Sequence, residues 1–217
     1  MRYGTVIWDL DGTLLDTLQD LSDAVNHALR TCGMPERRLD EVRQFVGNGV
    51  GMLMRRAVPS GDANSRFEEC FAAFRAYYLH HSQDHTHLYP GIQETLQALH
   101  RMGVRMAVVS NKLQAGVDQL YHTWFEDVIE VAIGERPELK RKPAPDMVSQ
   151  ALKELGVRAD EAVYVGDSEV DVQTARNSGL PCISVLWGFR DRCVLEQAGA
   201  TCFIDQPKDI IHIIQDT

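Results

Sequence analysis

The hydrophobic and polar positions follow two different patterns in two parts of the chain. In residues 16–81 the apolar side chains recur every three or four positions, which predicts one helix after another and no strand. From residue 89 onward, short valine-rich runs such as residues 104–109 and 162–165 alternate with segments of helical spacing. An apolar, β-branched run, residues 5–8, precedes the helical part. These patterns predict an α/β protein with a helical insertion.

The alternating part predicts a doubly wound parallel sheet, because strands that alternate with helices are joined by right-handed crossovers. We expect a discontinuous core domain, residues 1–15 and 82–217, and a small α-helical cap domain, residues 16–81. The insertion leaves and rejoins the core near the end of the first strand. We therefore expect it to act as a lid over the carboxyl edge of the sheet.

The composition disfavours several classes of protein. A formal net charge of −9 argues against a nucleic-acid partner and against binding to an anionic membrane surface. No apolar run approaches the length of a membrane-spanning helix, and no signal-peptide core precedes the first strand. The five cysteines are scattered without any C-x-x-C pair, as is typical of reduced thiols in the cytosol. We expect a cytoplasmic protein without nucleic-acid or membrane partners.

Polar side chains follow the ends of several predicted strands, and these ends share one edge of a parallel sheet, where α/β proteins bind ligands. They are Asp9 and Asp11 after the first strand, Ser110 and Asn111 after residues 104–109, Lys142 on a later loop, and Asp167 after residues 162–165. Clustered carboxylates with no histidine or cysteine beside them suit Mg²⁺. A lysine and a hydroxyl next to that metal would surround a phosphoryl group.

Each of these features also has a simpler interpretation, which the sequence leaves open. Two aspartates followed by a glycine are common in turns, and a serine-asparagine pair often caps a helix. Lys142 alone is typical of a solvated loop lysine. Asp171, in the first turn of a predicted helix, is also what a helix dipole favours. The occurrence of all of them at strand ends favours a catalytic site.

Four short motifs extend this set along the chain. They are Asp9-Leu10-Asp11-Gly12-Thr13, Val109-Ser110-Asn111-Lys112, Lys142-Pro143-Ala144-Pro145-Asp146 and Gly166-Asp167-Ser168-Glu169-Val170-Asp171. In order and spacing they resemble the haloacid dehalogenase-like (HAD-like) phosphohydrolase superfamily, with the helical insertion where that family has its small cap. The segments 45–50 and 187–190 resemble the phosphoglycolate phosphatase group within it. The resemblance implies a Rossmann-like core and Mg²⁺ as the cofactor.

The resemblance also implies a role for each motif residue. Asp9 would be the nucleophile that forms an aspartyl-phosphate, and Asp11 would be the general acid and then the general base. Mg²⁺ would be held by a carboxylate oxygen of Asp9, the main-chain carbonyl of Asp11, and Asp167.

The remaining candidates are assigned to phosphate binding and to support of the site. Ser110 and Lys142 would hold the oxygens of the transferred phosphoryl group, and Thr13 and Asn111 are further candidates for phosphate contact. Asp171 would support Lys142 or a metal-bound water from outside the metal's own ligands.

Within the helical insertion, we interpret Gly47-Asn48-Gly49 as a substrate-facing loop that contributes to specificity, although a simple interhelical turn is the alternative. A group of four histidines near the end of the insertion suggests a metal site at first sight. They are His80, His81, His85 and His87. No glutamate or cysteine completes a zinc pattern there, so we do not expect a metal at these histidines.

We therefore expect a Mg²⁺-dependent phosphatase that acts on a small phosphorylated metabolite, with 2-phosphoglycolate as the first choice, in a monomer or homodimer. A phosphomutase of the β-phosphoglucomutase type and a pyrophosphatase or nucleotidase would use the same site residues. A regulatory domain that only binds phosphate is disfavoured, because it has no use for an acid/base group at Asp11. A dehalogenase is disfavoured as well, since displacement at carbon needs neither Asp11 nor a metal.

Overall fold

The computed structural model describes residues 2–215, which form two compact units. The α/β unit contains the chain up to Leu14 and from Leu88 onward, and the helical unit spans Leu15–His87. The predicted cap range, residues 16–81, lies within the helical unit. Among the described residues, no helix combines the length and the apolar character that crossing a membrane requires.

The strands in chain order are β1 (Thr5–Trp8), β2 (Leu15–Asp16), β3 (His87–Leu88), β4 (Arg105–Leu113), β5 (Val131–Glu135), β6 (Ala162–Gly166), β7 (Cys182–Val185) and β8 (Phe203–Ile204). The α-helices are α1 (Leu18–Thr31), α2 (Leu39–Phe45), α3 (Gly49–Ala57), α4 (Phe67–His81), α5 (Ile92–Arg101), α6 (Gln114–Trp124), α7 (Asp146–Leu155), α8 (Glu169–Asn177), α9 (Arg192–Gln197) and α10 (Asp209–Gln215).

The α/β unit is built on a six-stranded sheet with the order β5-β4-β1-β6-β7-β8, in which every neighbouring pair is parallel. This confirms the predicted fold class. The central strand β1 pairs with β4 and β6 so that Trp8 lies opposite Val108 and Val165. The residues that follow these three positions therefore emerge at the same edge of the sheet.

One face of this sheet forms a continuous apolar core with α7 and α8. Ile7, Val109 and Ile133 from three strands pack there with Met147 of α7 and Ala175 of α8, all fully buried. Strands covered in this way are apolar on consecutive positions rather than on alternate ones. This agrees with the largely apolar runs that mark these strands in the sequence.

The helical unit has a core of its own, in which α1 and α4 contribute Val25, Leu29, Cys70 and Phe74. Its last residues, after α4, are held by the buried carboxylate of Asp20 in α1. Asp20 accepts hydrogen bonds from the backbone N–H of His85 and from both the N–H and the hydroxyl of Thr86, at 2.7–2.9 Å. These contacts explain why the unit extends six residues beyond the predicted end of the cap.

Several boundaries differ from the sequence prediction. Strand β4 continues to Leu113 instead of ending at residue 109, and its pairing with β5 shifts register between Val109 and Leu113. Strand β5 begins at Val131 rather than at residue 128, because the chain turns over Phe125–Ile129 through hydrogen bonds to the Phe125 carbonyl. Strand β2 pairs with β3 in a segment predicted as a loop.

Candidate active site

Three carboxylates meet at the carboxyl edge of the sheet. One oxygen from each of Asp9, Asp167 and Asp171 lies within 4.8 Å of the others, and all three residues are buried. Asp9 directly follows β1, and its backbone N–H donates to the carbonyl of Val165, which continues the ladder with β6. Asp167 follows β6 itself. The sheet register thus brings together acids that are far apart in the sequence.

Glycines allow the backbone to approach Asp167 closely. Gly12 has a φ of +90°, and a Cβ placed there would lie 2.5 Å from Asp167 Oδ2. A Cβ on Gly188 would overlap both the Asp167 side chain and the Gly12 carbonyl. Any side chain at either position would displace Asp167, so these glycines serve the close packing of the site.

Lys142 lies among the carboxylates and uses all three of its ammonium donors on protein oxygens. Its Nζ is 2.6 Å from Asp9 Oδ1, 2.8 Å from Asp171 Oδ1 and 3.0 Å from the Tyr164 hydroxyl. The Asn111 side chain fixes the backbone of this lysine, accepting from Lys142 N–H at 2.8 Å and donating to its carbonyl at 3.0 Å. The predicted phosphate contact Asn111 therefore holds the lysine loop.

Asp171 is held from several directions at the start of α8. It accepts from the backbone N–H of Ser168 at 3.1 Å and from the Ser168 hydroxyl at 2.5 Å, and its other oxygen accepts from Tyr164 at 2.9 Å. Its carboxylate thus joins the cap of α8 to Lys142. This arrangement suits a residue that orients the lysine.

Burial makes the ionised forms of the clustered carboxylates less favourable. Burial and then the neighbouring Asp171 raise the pKa of Asp9 well above its usual range, against the opposing effect of Lys142. The same two causes raise the pKa of Asp167 to about 7, although the N–H of Phe189 opposes the shift. Burial lowers the pKa of Lys142, but Asp171 and Asp9 outweigh it and raise the pKa overall. Further positive charge next to Asp9 and Asp167 would therefore be stabilising.

The donors at this position fit Mg²⁺. Asp9 and Asp167 offer carboxylate oxygens, and within residues 2–215 no histidine or cysteine belongs to the same group of acids. Asp171 fits the metal less well, because Lys142, Tyr164 and Ser168 already bind its oxygens. The chemistry of the donor set thus favours Asp9 and Asp167 as metal ligands.

Asp11 lies beside a lysine that the sequence analysis did not single out for a role. Lys112 Nζ is 3.2 Å from Asp11 Oδ1, and the Asp11 side chain retains 19% exposure while that of Lys112 retains 7%. The backbone N–H of Lys112 donates to the Ser110 hydroxyl oxygen at 3.1 Å. Ser110 was expected after a strand end but lies within β4, buried at the position where the register shifts.

The loop after β7 closes the other side of Asp167. The Phe189 N–H donates to Asp167 Oδ2 at 2.7 Å, and the Trp187 indole N–H donates to the Thr13 carbonyl at 3.0 Å. The hydroxyl of Thr13, expected to contact phosphate, lies 3.3 Å from Asp167 Oδ1. Arg190 pairs with Glu169 at 2.8 Å. The loop therefore ties Asp167 to the turn that follows the first strand.

In the helical unit, His85 lies with Asp20 and Asp23 in a group that could hold a metal ion, with one ligand atom of each within 4.8 Å of the others. Asn48 caps α3 with a φ of +62°, and the glycines on both sides of it also have positive φ. His81 binds Asp84 at 2.8 Å, and His85 lies 3.8 Å from Asp23. Within residues 2–215, the four histidines do not form a group with one another, and the metal-ligating group that includes His85 is completed by aspartates.

Three groups at the site were not predicted from the sequence. They are the Tyr164 hydroxyl, the Lys112 ammonium and the Phe189 backbone N–H. Tyr164 looks like any core aromatic residue of a buried strand, and a backbone donor has no sequence signature. Lys112 could have been found, since it directly follows the Ser110-Asn111 pair.

This chain is similar to known proteins in both sequence and structure. The sequence profile of the haloacid dehalogenase-like hydrolases matches residues 6–185. A phosphoglycolate phosphatase from Pseudomonas savastanoi pv. phaseolicola is 34% identical over 220 residues, covering 95% of this chain and 78% of that protein. Another from Rhodobacter capsulatus is 35% identical over 189 residues, covering 85% of each chain. A solved structure from Lactobacillus delbrueckii subsp. bulgaricus, provisionally assigned as a phosphoglycolate phosphatase, has a TM-score of 0.94 at 36% identity over 99% of both chains.

Proposed function

We propose that this chain, which belongs to the haloacid dehalogenase-like hydrolase family and hydrolyses phosphoric monoesters, acts on 2-phosphoglycolate with Mg²⁺ through a phosphorylated Asp9. The observation that carries the proposal is the buried pairing of Asp9 with Lys142 next to the second acid Asp167. The choice of substrate is supported by two relatives, one from Pseudomonas and one from Rhodobacter, which are both named phosphoglycolate phosphatase.

Mg²⁺ would be held by the side chains of Asp9 and Asp167 and by the main-chain carbonyl of Asp11. When bound, it would offset the repulsion between an anionic nucleophile and an anionic phosphate. Its charge would also favour the ionised forms of the two acids whose pKa values burial raises.

The covalent steps need two aspartates. A carboxylate oxygen of Asp9 forms a bond to phosphorus while the bond from phosphorus to the ester oxygen breaks, and Asp11 donates its proton to that departing oxygen. Asp11 then accepts a proton from water, whose oxygen bonds to phosphorus as the bond to Asp9 breaks. Inorganic phosphate and free Asp9 result.

Ser110 and Lys142 orient the reacting groups. Lys142 binds Asp9 Oδ1, which fixes the rotation of the carboxylate and directs its other oxygen toward phosphorus. Ser110 accepts the Lys112 N–H, so its own hydroxyl proton is available for an oxygen of the phosphoryl group. In the helical unit, we still propose that Gly47, Asn48 and Gly49 contribute to specificity for the leaving group.

The experiment measures phosphate release from a panel of phosphomonoesters that includes 2-phosphoglycolate and β-glucose 1-phosphate, with Mg²⁺ and with chelator. We expect 2-phosphoglycolate to have the highest kcat/KM and the chelator to abolish release. Rearranged sugar phosphate without free phosphate would indicate a mutase instead. Another ester with a higher kcat/KM would refute the substrate but not the chemistry.

The nucleophile is tested with Asp9→Asn and with Asp118→Asn, an exposed aspartate of α6, as its matched control. We expect Asp9→Asn to lose more than about 10³-fold in kcat with an unchanged circular dichroism spectrum, and the control to keep its activity. Acid-stable ³²P on the Asp9→Asn protein, or full turnover by it, contradicts the proposed mechanism.

A further inference from the structure

Lys112 occupies an unusual position for a lysine. It lies in the last part of β4, and its side chain is only 7% exposed. Its stem runs over Gly116 in the first turns of α6, where a Cβ would lie 3.5 Å from three of its carbons. Lysines are rarely buried without a charged partner. The fold therefore fixes this ammonium in place at the same edge as the candidate active site.

The ammonium of Lys112 is close to where the leaving group must be. A general acid lies within about 3 Å of the oxygen that it protonates. Lys112 Nζ is 3.2 Å from Asp11 Oδ1, so the ester oxygen of a bound substrate lies within about 6 Å of Nζ when Oδ1 is the oxygen that donates. In 2-phosphoglycolate a carboxylate begins two bonds beyond that oxygen. It can reach hydrogen-bond distance from the ammonium.

We propose that Lys112 recognises the carboxylate of the substrate's leaving group and thereby selects esters of hydroxy acids. This inference rests on the proposed function and deepens it by naming a specificity residue. A fixed ammonium attracts an anionic leaving group more strongly than a neutral one of the same size, because only the anionic group gains a charge–charge interaction with it.

Two other buried cations at this edge, Lys142 and Arg190, bind groups other than Asp11. Lys142 directs its three donors to Asp9, Asp171 and Tyr164, on the side of the nucleophile. Arg190 pairs with Glu169, at the start of α8. Lys112 contacts Asp11, the acid proposed to protonate the leaving group, which is why we assign the carboxylate to it.

The proposal is tested by comparing two esters of equal chain length, 2-phosphoglycolate and ethyl phosphate, which differ in the carboxylate. For each we measure kcat and KM in wild type, in Lys112→Met and Lys112→Arg, and in Lys153→Met, an exposed lysine of α7 that serves as the matched control. 2-Phospholactate is included as a second carboxylated ester. Thermal unfolding shows whether each variant is folded.

We expect wild type to prefer 2-phosphoglycolate over ethyl phosphate, and Lys112→Met to reduce this preference about 30-fold, mainly through KM. Lys112→Arg should restore part of the preference, and Lys153→Met should not change it. An equal loss on both esters would mean that Lys112 acts only through Asp11, and would overturn the proposal. The proposal would also be overturned if wild type had similar kcat/KM values for 2-phosphoglycolate and ethyl phosphate, or if Lys112→Met left their ratio unchanged.

The same data separate this inference from the proposed substrate. If wild type prefers 2-phospholactate to 2-phosphoglycolate and Lys112→Met removes the preference for both over ethyl phosphate, the substrate assignment fails. The assignment of the carboxylate to Lys112 stands in that case.

Discussion

Replacing Tyr164 by phenylalanine tests the network that holds Lys142. The ring of Tyr164 is buried in the apolar core between β6 and α7, and a phenylalanine fills the same space. Only the hydroxyl is lost, which accepts from Lys142 at 3.0 Å and donates to Asp171 at 2.9 Å. Burial and then Asp171 raise the pKa of Tyr164 well above its usual range, so the phenol stays protonated and keeps donating.

The size of the effect follows from the partners of this hydroxyl. A hydrogen bond to a charged group contributes about 1.5–3 kcal/mol, and both partners are charged and buried. We expect the free energy of unfolding of Tyr164→Phe to fall by about 1.5–3 kcal/mol. At about 2–4 °C per kcal/mol for a chain of this size, Tm falls by about 3–12 °C. Because Lys142 then orients Asp9 less well, we expect kcat to fall about 10-fold with little change in KM.

The assay combines thermal unfolding with steady-state phosphate release, and Tyr121→Phe is the matched control. The Tyr121 hydroxyl donates to the Ile129 carbonyl at 2.9 Å, a neutral bond away from the cluster of acids. This control should lose about 1 kcal/mol of stability and no activity. If Tyr164→Phe keeps wild-type kcat while losing stability, the hydroxyl supports the core but does not position Lys142.

Three further predictions concern the packing of the acids, their protonation and the helical unit. Gly188→Ala should lose about 1–3 kcal/mol of stability and most of its Mg²⁺-dependent activity, because its Cβ overlaps Asp167, whereas Gly4→Ala, with open space around it, should change neither. Burial raises the pKa of Asp167 from 3.8 to about 7, so ionised Asp167 destabilises the metal-free fold as pH rises through this range. Burial also raises the pKa of Asp9, the other proposed ligand, so the increase in Tm that Mg²⁺ produces should grow as pH rises from 5 to 7; a pH-independent increase contradicts this. Asp20→Asn should lower the stability of the helical unit by about 1.5–3 kcal/mol in denaturant unfolding, since it removes a carboxylate oxygen that accepts buried hydrogen bonds, while Asp62→Asn at the surface should cost less than about 1 kcal/mol.

The parts of the fold that the sequence predicted well are those that burial alone determines. Strands β1 and β7 begin and end where predicted, because nearly all of their positions are buried and their sequences are therefore largely apolar. The end of β4 was missed because Ser110, Asn111 and Lys112 are polar, and their extended conformation depends on pairing with β5 across a register shift. No local pattern carries that information.

For the candidate site, the predicted strand ends were sufficient to place the acids at one edge of the sheet but not to predict which groups they contact. The sequence placed Asp9 and Asp167 at one edge, and the structure has them there. It could not show that Asn111 binds the Lys142 backbone instead of facing outward, since this depends on how two distant loops meet. Contacts between side chain and backbone have no periodicity, so a sequence pattern does not reveal them.

The bonds of Lys142 define what this lysine does before and during catalysis. Its three donors point to Asp9, Asp171 and Tyr164, so an oxygen of a phosphoryl group can replace only one of these acceptors. The charge of the Asp9 carboxylate is lost when it becomes phosphorylated, whereas the Asp171 carboxylate stays charged and the Tyr164 hydroxyl stays neutral. We expect the Lys142 ammonium to keep its hydrogen bonds to Asp171 and Tyr164, as a pivot, and to exchange its bond to Asp9 for one to the phosphoryl group. Tyr164→Phe leaves one pivot, so it should slow both the formation and the hydrolysis of phosphorylated Asp9; a variant slowed in neither step excludes the pivot.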